Sequence, residues 1–358
     1  MPGKILLTRF NFEVILMKLS FDQIKSITTG AVRLQCDESG VSFYRFTQEQ
    51  TERYKERNET FYRNNFSTAG IKLRFRTDSK NLSIGITTEP GTSRRYFSLD
   101  VSVNGVVIGS IDNFADREIP QNFHAMGGEL GDFSGSFSLG EGIKDVCISL
   151  PWSVITRICY IELDDGSFTE PIKYSKKLLA FGDSITQGYD ALRPSSRYVA
   201  KLCEALDAEE FNKAIGGERF WGGLSEMKDD IDPDIITVAY GTNDWSRSKV
   251  LEFTNFECFV KNCESFFSNL RKNYPDKKIF AITPIWREDK DVLEADWKFD
   301  DTGDIISRIV EPYDINVIDG ENLVPHDVNF FGDLRLHPND NGFEHYFENL
   351  YNIIKTKI

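Results

Sequence analysis

The sequence is short of positive charge, and this shortage excludes whole classes of partner. Its 42 lysines and arginines are outnumbered by 56 aspartates and glutamates, which gives a net charge of −14. Nucleic acids and anionic membrane surfaces bind clusters of Lys and Arg. We therefore expect no nucleic acid and no membrane as partner, and we expect a neutral substrate.

Long apolar runs are also missing, and the amino end shows this most clearly. The segment MPGKILLTRFNFEVIL at 1–16 has a short apolar patch that Arg9 and Glu13 interrupt, and no small-residue cleavage site follows it. It therefore predicts neither a secretory signal nor a membrane anchor. Because the next stretch, MKLSFDQIKSITTGAV, itself resembles a natural start at Met17, we interpret residues 1–16 as an upstream extension, from cloning or from start-codon choice.

Cysteine and histidine are too scattered to indicate a metal site. The six cysteines show no CxxC spacing, and the four histidines form no ligand pattern with a carboxylate cluster. The sequence thus predicts buried, reduced thiols, a cytoplasmic location, no metal and no cofactor. Internal repeats, low-complexity tracts and a Pro/Ser linker are absent too, although 358 residues are enough for two domains.

The first of these domains is predicted to be an antiparallel β-sandwich, jelly-roll-like, over residues 17–170. In IKLRFRTD at 71–78 and FSLDVSV at 97–103 every second residue is apolar, which is typical of half-buried strands. Asn104-Gly105 then predicts a two-residue hairpin turn. The longest helical stretch in this region is QEQTERYKERNE at 48–59. Short strands and frequent turns therefore favour a sandwich.

The second domain, residues 171–358, is predicted to be α/β with a parallel sheet. Apolar strands such as LLAF and DIITVAY alternate with helices, the longest of which runs through FTNFECFVKNCESFFSNLRKN. In this helix one core-facing stripe is predicted from the 3, 4, 3 spacing of Phe256, Phe259, Val260, Cys263, Phe266, Phe267 and Leu270. Strands that are apolar on both faces indicate a sheet covered by helices on both sides, with ligands at the strands' carboxyl ends.

A serine stands at such a strand end, in LLAFGDSITQG at 178–188. A serine hydroxyl becomes a useful nucleophile only with a nearby base and with donors that hold an oxyanion. Three later segments offer these parts: FNKAIGGERFWGG contains Gly217, AYGTNDW contains Asn243, and DLRLHPNDNGF contains His337.

Together these segments resemble the four blocks of the SGNH/GDSL hydrolase family. The blocks are GDSIT at 182–186, N-x-x-I-G-G at 212–217, GTND at 241–244 and HPN at 337–339, in the family's order. The resemblance implies a flavodoxin-like three-layer α/β/α catalytic domain over about residues 175–358. With the sandwich in front, the arrangement resembles bacterial carbohydrate esterases that pair an N-terminal jelly roll with an SGNH domain.

The resemblance also implies a role for each block. Ser184 is the nucleophile, His337 is the base, and the oxyanion is held by the backbone N–H groups of Ser184 and Gly217 and by the Asn243 side chain. The acidic residue departs from the family pattern, because the position three before the histidine is Leu334 and the aspartate, Asp333, lies one further back. Asp333, a backbone carbonyl near Leu334, or a different carboxylate is left open as the group that orients His337.

The sequence says less about the substrate than about the catalytic residues. Trp221, Trp245 and Trp286 each follow a segment expected at the catalytic rim, so they can form a sugar platform or simply pack between loops. Arg219 and Arg247 beside the same blocks can orient a substrate hydroxyl or remain solvated.

We expect a serine esterase that removes small acyl groups, acetyl above all, from an acylated oligosaccharide. The alternatives are a lysophospholipase or thioesterase, for which a longer apolar run is expected, and a catalytically idle carbohydrate-binding protein. A homo-oligomer is left open.

Overall fold

The computed structural model describes residues 16–250 and 254–358, and its first part is a sandwich of two antiparallel sheets. In chain order the strands of this part are β1 (Leu16–Lys18), β2 (Thr28–Thr29), β3 (Arg33–Asp37), β4 (Gly40–Tyr44), β5 (Lys72–Thr77), β6 (Asn81–Pro90), β7 (Ser98–Val103), β8 (Val106–Asp112), β9 (Asp132–Ser138), β10 (Lys144–Ser149), β11 (Val154–Asp164) and β12 (Glu170–Pro171). One sheet has the order β3-β4-β11-β6-β9 with β1 beside β11. The other has the order β12-β5-β10-β7-β8 with β2 beside β5.

The predicted strand pattern and hairpin are confirmed. Ile71, Leu73 and Phe75 are buried in the core between the sheets. Asn104 and Gly105 join β7 to β8 with φ values of 49° and 82°. Two successive residues in the left-handed region give the turn type that matches the twist of a two-residue hairpin, which is why Asn-Gly suits this position.

From residue 16 onward, three helices accompany the sandwich: α1 (Phe21–Ile27), α2 (Gln48–Arg57) and α3 (Glu59–Asn64). The helix predicted over 48–59 therefore ends earlier, at Arg57. Asn58 adopts an extended conformation, with φ −166°, and its side chain accepts a hydrogen bond from the Phe61 N–H, so that it caps a separate helix. As a result α3 takes its own direction, and its last turn reaches the cavity described below.

The second part has the predicted three-layer α/β/α architecture. Its strands are β13 (Lys176–Gly182), β14 (Ala208–Asn212), β15 (Ile235–Ala239), β16 (Lys278–Ile282) and β17 (Asn316–Ile318). All pairs are parallel, in the order β14-β13-β15-β16-β17. Its helices are α4 (Ser184–Gln187), α5 (Tyr198–Leu206), α6 (Gly222–Ser225), α7 (Thr242–Arg247), α8 (Phe256–Asn273), α9 (Thr302–Val310) and α10 (Asp340–Ile354). The predicted fold class is confirmed.

The strand order places a ligand-binding crevice between β13 and β15. The chain leaves β13 toward β14 on one side and later returns to β15 on the other, so the carboxyl ends of β13 and β15 diverge at a topological switch point. Ser184 follows β13 and Asn243 follows β15. The fold thus brings the first and third sequence blocks to one crevice.

Two predictions about side chains need correction. Phe256, at the start of the α8 stripe, is 39 % exposed, because it is the first residue of the helix, and its ring contacts Trp297. Among the cysteines, Cys36 is exposed and only Cys203 and Cys263 are buried, although all six thiols are free. Cys36 is exposed because it lies on β3, the outermost strand of its sheet.

The alternation of apolar and polar residues predicts a solvent-exposed outer face for the sandwich, but part of this face is buried. Lys72 lies on this face of β5, yet it is buried, and its Nζ donates to Glu204 on α5 at 2.6 Å. The α/β domain covers this part of the second sheet.

Buried polar contacts tie the two parts together. Arg45 of the sandwich is 1 % exposed and donates through Nη1 to the carbonyl oxygens of Asn212 and Ala214 at 2.9 and 2.8 Å. Gln50 contacts both members of the buried ion pair between Lys213 and Asp229. The segment after β14, which holds the second sequence block, is therefore fixed by the sandwich.

The predicted domain boundary, between residues 170 and 171, falls inside the last strand of the sandwich, a few residues before the connection to the second part. β12 at Glu170–Pro171 still pairs with β5, and β13 begins at Lys176. Of the proposed extension at 1–16, residues 1–15 lie outside the described residues, whereas Leu16 pairs with Asp164. Within the described ranges no helix is long and apolar enough to cross a membrane.

Candidate active site

Ser184 lies at the first position of a short helix that begins immediately after a buried strand. β13 ends at Gly182, and Asp183 caps α4 by accepting the Ile185 N–H at 2.9 Å. This tight connection leaves no room for a loop, so the serine projects at the carboxyl edge of the sheet. Only 4 % of Ser184 is exposed, so most of the residue is shielded by the surrounding protein.

The structure brings together the three residues that the sequence proposes as nucleophile, base and acid. His337 Nε2 lies 2.8 Å from Ser184 Oγ, and His337 Nδ1 lies 2.7 Å from Asp333 Oδ2. When Nδ1 is protonated and its N–H donates a hydrogen bond to the carboxylate, Nε2 has a free lone pair that can accept the proton of the Ser184 hydroxyl. The arrangement is therefore competent for nucleophilic catalysis.

The backbone at Leu334 accounts for the unusual spacing between the acid and the histidine. Leu334 has a φ of 56°, in the left-handed region that a leucine seldom adopts. This conformation absorbs the extra residue and turns the chain back, and the loop is closed by a bridge between Phe331 and Pro338. Asp333 thus reaches the imidazole from four positions earlier in the chain.

Hydrogen bonds hold the Asp333 carboxylate in its ionised form. Its Oδ1 accepts the backbone N–H groups of Arg335, Leu336 and His337 at 3.0, 2.7 and 3.0 Å. Burial alone would raise the pKa of Asp333, but the hydrogen bond and charge of His337 together with these backbone N–H groups lower the pKa well below its usual range. Asp333 is therefore a fixed negative charge beside His337.

The three oxyanion donors that the sequence proposes lie around the same crevice. Gly217 has a φ of 82°, in the left-handed region that favours glycine. Within the described residues, the backbone N–H groups of Ser184 and Gly217 donate to no protein acceptor. Asn243 Nδ2 donates to the Glu218 carbonyl at 3.1 Å and to Asp183 Oδ2 at 3.3 Å. The amide is thus oriented by two long hydrogen bonds.

Asp183 is a second carboxyl group behind the serine. It is buried, and this burial raises its pKa to about 6, although the Ile185 N–H and the charges of His337 and Arg287 act in the opposite direction. By accepting from both the α4 backbone and Asn243, it couples the turn that carries the nucleophile to the side chain from β15.

Sequence reasoning missed the residues on the other side of the imidazole. The Tyr189 ring stacks on His337 at 5.4 Å between centroids. Asp190 Oδ2 lies 3.9 Å from His337 Nδ1, and Asp190 is held by Arg94 at 2.7 Å and by the Tyr96 hydroxyl at 2.9 Å. Arg94 and Tyr96 belong to the sandwich, and no motif marks them.

These contacts also bear on metal binding. The acidic and histidine side chains close enough to share an ion, among the described residues, are Asp190, Asp333 and His337. The oxygen and nitrogen atoms that would ligate an ion already form hydrogen bonds with Arg94, with backbone N–H groups or with one another. We assign this cluster to the orientation of His337, and the absence of a metal stays a prediction.

A cavity of about 540 Å³ opens above Ser184, between the two parts of the molecule. The α/β part contributes Asn243, Arg247 and His337, and the sandwich part contributes α3 and the loop that follows β6. Aliphatic side chains are few, and the described lining residues are Thr60, Arg63, Asn64, Thr92, Ser93, Arg94, Ser184, Tyr189, Gly216, Gly217, Asn243, Ser246, Arg247, Val250, Arg287, Leu293, Arg335, Leu336 and His337.

The three tryptophans proposed as a sugar platform do not line this cavity in the described part of the chain. For Trp245 the proposal is wrong, because its ring is 1 % exposed, packs on Phe299 and donates through Nε1 to the Trp297 carbonyl. Trp286 is stacked on His326, with ring centroids 5.4 Å apart.

Trp221 lies at a neighbouring cavity of about 290 Å³, which Arg219 also lines. Its ring packs on Tyr54, and the Arg57 guanidinium stands 4.1 Å above it. Sugar binding at Trp221 stays a prediction.

Among known proteins, a family model matches the α/β part of the chain, and solved structures match both parts. Residues 180–345 match the model of the GDSL-like Lipase/Acylhydrolase family. A search of curated proteins found no match.

Solved structures match both parts of the chain at low identity. One is the salicylyl-acyltransferase SsfX3 from a tetracycline biosynthetic pathway, with 20 % identity, a TM-score of 0.73, and coverage of 92 % of this chain and 94 % of that one. Another is a family two carbohydrate esterase from Clostridium thermocellum in complex with cellohexaose, with 17 % identity, a TM-score of 0.62, and coverage of 92 % and 98 %.

The acetyl xylan esterase Est2A from the rumen bacterium Butyrivibrio proteoclasticus has 17 % identity and a TM-score of 0.57, with coverage of 82 % of this chain and 91 % of that one. At these identities the structures show the shared two-part fold. Together with the family match, they confirm that this chain, through the α/β part that carries Ser184 and His337, resembles the GDSL-like hydrolases and shares the fold of carbohydrate esterases.

Proposed function

We propose that the protein is a serine esterase that removes acetyl groups from sugar hydroxyls through a Ser184–His337–Asp333 triad. The observation that carries this proposal is the continuous chain of contacts from Ser184 Oγ through both imidazole nitrogens to Asp333, at 2.8 and 2.7 Å. It lies at the floor of a cavity large enough for a sugar ester.

The reaction follows from this geometry in two halves. Ser184 Oγ attacks the ester carbonyl while His337 Nε2 takes the hydroxyl proton, and the negative charge on the carbonyl oxygen is held by the N–H groups of Ser184 and Gly217 and by the Asn243 amide. His337 then gives its proton to the departing sugar oxygen, which leaves an acetyl-serine. In the second half His337 takes a proton from water, the hydroxide attacks the acetyl-serine, and Ser184 recovers its proton.

The cavity lining supports a small acyl group over a fatty acyl chain. Of the described lining residues, the aliphatic ones are Val250, Leu293 and Leu336, and most of the others are polar or charged. A fatty acyl chain of a lysophospholipid needs a longer continuous apolar wall to offset its transfer from water.

The proposed carbohydrate leaving group has two supports. Tyr189 and a set of polar side chains line the cavity, which suits a ligand with several hydroxyl groups. Structures that share the fold along most of this chain include carbohydrate esterases, one of which was solved with cellohexaose.

Hydrolysis of p-nitrophenyl esters tests the proposal directly. We expect kcat/KM to be highest for the acetate and to fall steadily through the butyrate and the octanoate. The Ser184→Ala variant should keep its circular dichroism spectrum and lose ester hydrolysis, since Ser184 lies on a turn at the crevice. Release of acetate from an acetylated oligosaccharide should show the same dependence on Ser184.

The sugar acetylesterase and its two alternatives, a lipid esterase and an idle binding protein, give different results in this assay. A preference for the octanoate would indicate a lipid esterase, and the absence of turnover in folded wild-type protein would indicate an idle binding protein. Turnover retained by Ser184→Ala above a few per cent would contradict the mechanism.

A further inference from the structure

The cavity around Ser184 is strongly cationic, although the chain as a whole is acidic. Five arginines are among its described lining residues, and no aspartate or glutamate is: Arg63, Arg94, Arg247, Arg287 and Arg335. In a chain where acidic residues outnumber basic ones by 56 to 42, a surface taken at random would expose more carboxylates than guanidiniums. The lining therefore has the opposite sign of charge to the rest of the protein.

Three of the five arginines have carboxylate partners behind the cavity wall. Arg94 pairs with Asp190. Arg287 and Arg335 share the single carboxylate of Asp289, and Arg335 also approaches Asp333 at 4.0 Å. These three carboxylates neutralise at most three of the five positive charges.

Arg63 and Arg247 supply the excess charge. Both are exposed, and within the described ranges neither has a carboxylate partner. Arg63 is on the last turn of α3, in the sandwich part, whereas Arg247 ends α7, which begins next to Asn243. The two guanidiniums thus come from different parts of the molecule and line one cavity.

Helping the oxyanion is not enough to explain this charge. Three groups are already proposed to hold the oxyanion: the backbone N–H groups of Ser184 and Gly217 and the side-chain amide of Asn243. All three residues border the crevice. A guanidinium at the open, exposed side of the cavity is better placed for the part of the substrate that remains in contact with solvent. Its planar set of donors fits a carboxylate or a sulfate group.

We propose that the sugar ester bound above Ser184 carries a fixed negative charge, and that Arg63 and Arg247 bind this anionic group. This inference rests on the proposed esterase function and narrows its substrate class from acetylated sugars to acetylated acidic sugars. It replaces the neutral substrate expected from the overall charge, because the charge that a substrate meets is the charge of the cavity lining and not the sum over the chain.

Three acetate esters that differ in one group test the proposal. They are methyl galactoside, methyl galacturonoside and methyl galactoside 6-sulfate, each acetylated at the same ring hydroxyl, which provide neutral, carboxylate and sulfate forms of one scaffold. We expect wild-type kcat/KM for at least one anionic ester to exceed that for the neutral ester about a hundredfold at low salt. The better of the two anionic esters identifies the group. Added salt should reduce this preference, because it screens exposed charges.

Substitution of the two arginines identifies the residues. Arg63→Gln and Arg247→Gln should each lower kcat/KM for the preferred anionic ester about tenfold, chiefly through KM, and should change the neutral ester less than twofold. Arg53→Gln is the matched control, since Arg53 is an exposed arginine on the adjacent helix α2 that does not line the cavity. This substitution should leave kcat/KM for all three esters unchanged.

The results separate failure of this inference from failure of the proposed function. If wild-type protein hydrolyses the three esters equally, the esterase proposal stands and the anionic substrate is contradicted. If the two variants lose activity equally on all three esters, the arginines act on the oxyanion and the inference is again wrong. If folded wild-type protein hydrolyses none of them, nor p-nitrophenyl acetate, the esterase proposal itself fails.

Discussion

The two walls of the cavity around Ser184 are held in place in different ways. On the α/β wall, Ser184 and Asn243 come directly after β13 and β15, so their positions follow from the parallel sheet and from short turns. On the sandwich wall, Arg63 and Arg94 lie on a short helix and on a loop after β6, and they reach the cavity only because the two parts dock. The reactive groups therefore lie on the edge of the parallel sheet, and the sandwich wall shapes what can bind.

If this division is correct, the largest effects come from the α/β wall. Asp333→Asn should reduce kcat by a factor of up to about 10⁴, because an amide at this position favours the wrong imidazole tautomer and removes the charge that stabilises the imidazolium. Steady-state kinetics with p-nitrophenyl acetate measures this, with an inactive His337→Ala variant as the reference.

A result within about fivefold of wild type would exclude Asp333 as the orienting acid. Asp190 would then be the group to test next, since its carboxylate lies 3.9 Å from the same nitrogen.

Removal of one oxyanion donor should have the next largest effect. Asn243→Ala is expected to lower kcat by about 10² to 10³ while KM changes little, because the lost hydrogen bond forms mainly in the transition state. Arg53→Gln, at an exposed position of α2 that does not line the cavity, serves as a control and should stay near wild type. An Asn243→Ala effect confined to KM would reassign Asn243 to substrate binding.

The sandwich wall should show its influence in stability. Arg45→Met is expected to lower the free energy of unfolding by about 2 kcal/mol, because the carbonyls of Asn212 and Ala214 lose their buried donor and lie far from water. Urea denaturation measures the change, and Arg53→Met, at an exposed position of the same part, is the control.

An unchanged denaturation midpoint for Arg45→Met would contradict this role, because it would show that the hydrogen bonds of Arg45 add no net stability to the docked parts. A loss of activity larger than the loss of stability would show that Arg45 also positions Gly217, five residues after Asn212.

These contrasts explain what the sequence alone could predict. The period-two and strand-helix patterns predicted both parts of the fold, because hydrophobic periodicity reports local burial directly. Ser184, Gly217, Asn243 and His337 are predicted at one site because their four segments together resemble the blocks of the SGNH/GDSL family in order.

The remaining features depend on contacts between distant segments. The reach of Asp333 depends on the left-handed backbone of Leu334, which a leucine does not signal. Trp245 is buried by Phe299 and Trp297, which come more than fifty residues later. Arg63 and Lys72 acquire their surroundings only when the two parts dock, so neither the cationic lining nor the covered outer face of β5 could be predicted from local patterns.

The ion pair between Arg94 and Asp190 has a consequence for the modularity of this architecture. Asp190 is fully buried next to the imidazole, yet its two strongest partners, Arg94 and Tyr96, lie on the other part of the chain. A recombinant that kept residues 171–358 and exchanged the sandwich for an unrelated one would leave a buried carboxylate uncompensated 3.9 Å from His337. The unit that can be transplanted intact is therefore the pair of domains, and a chimaera of this chain would have to carry Arg94 and Tyr96 together with Asp190.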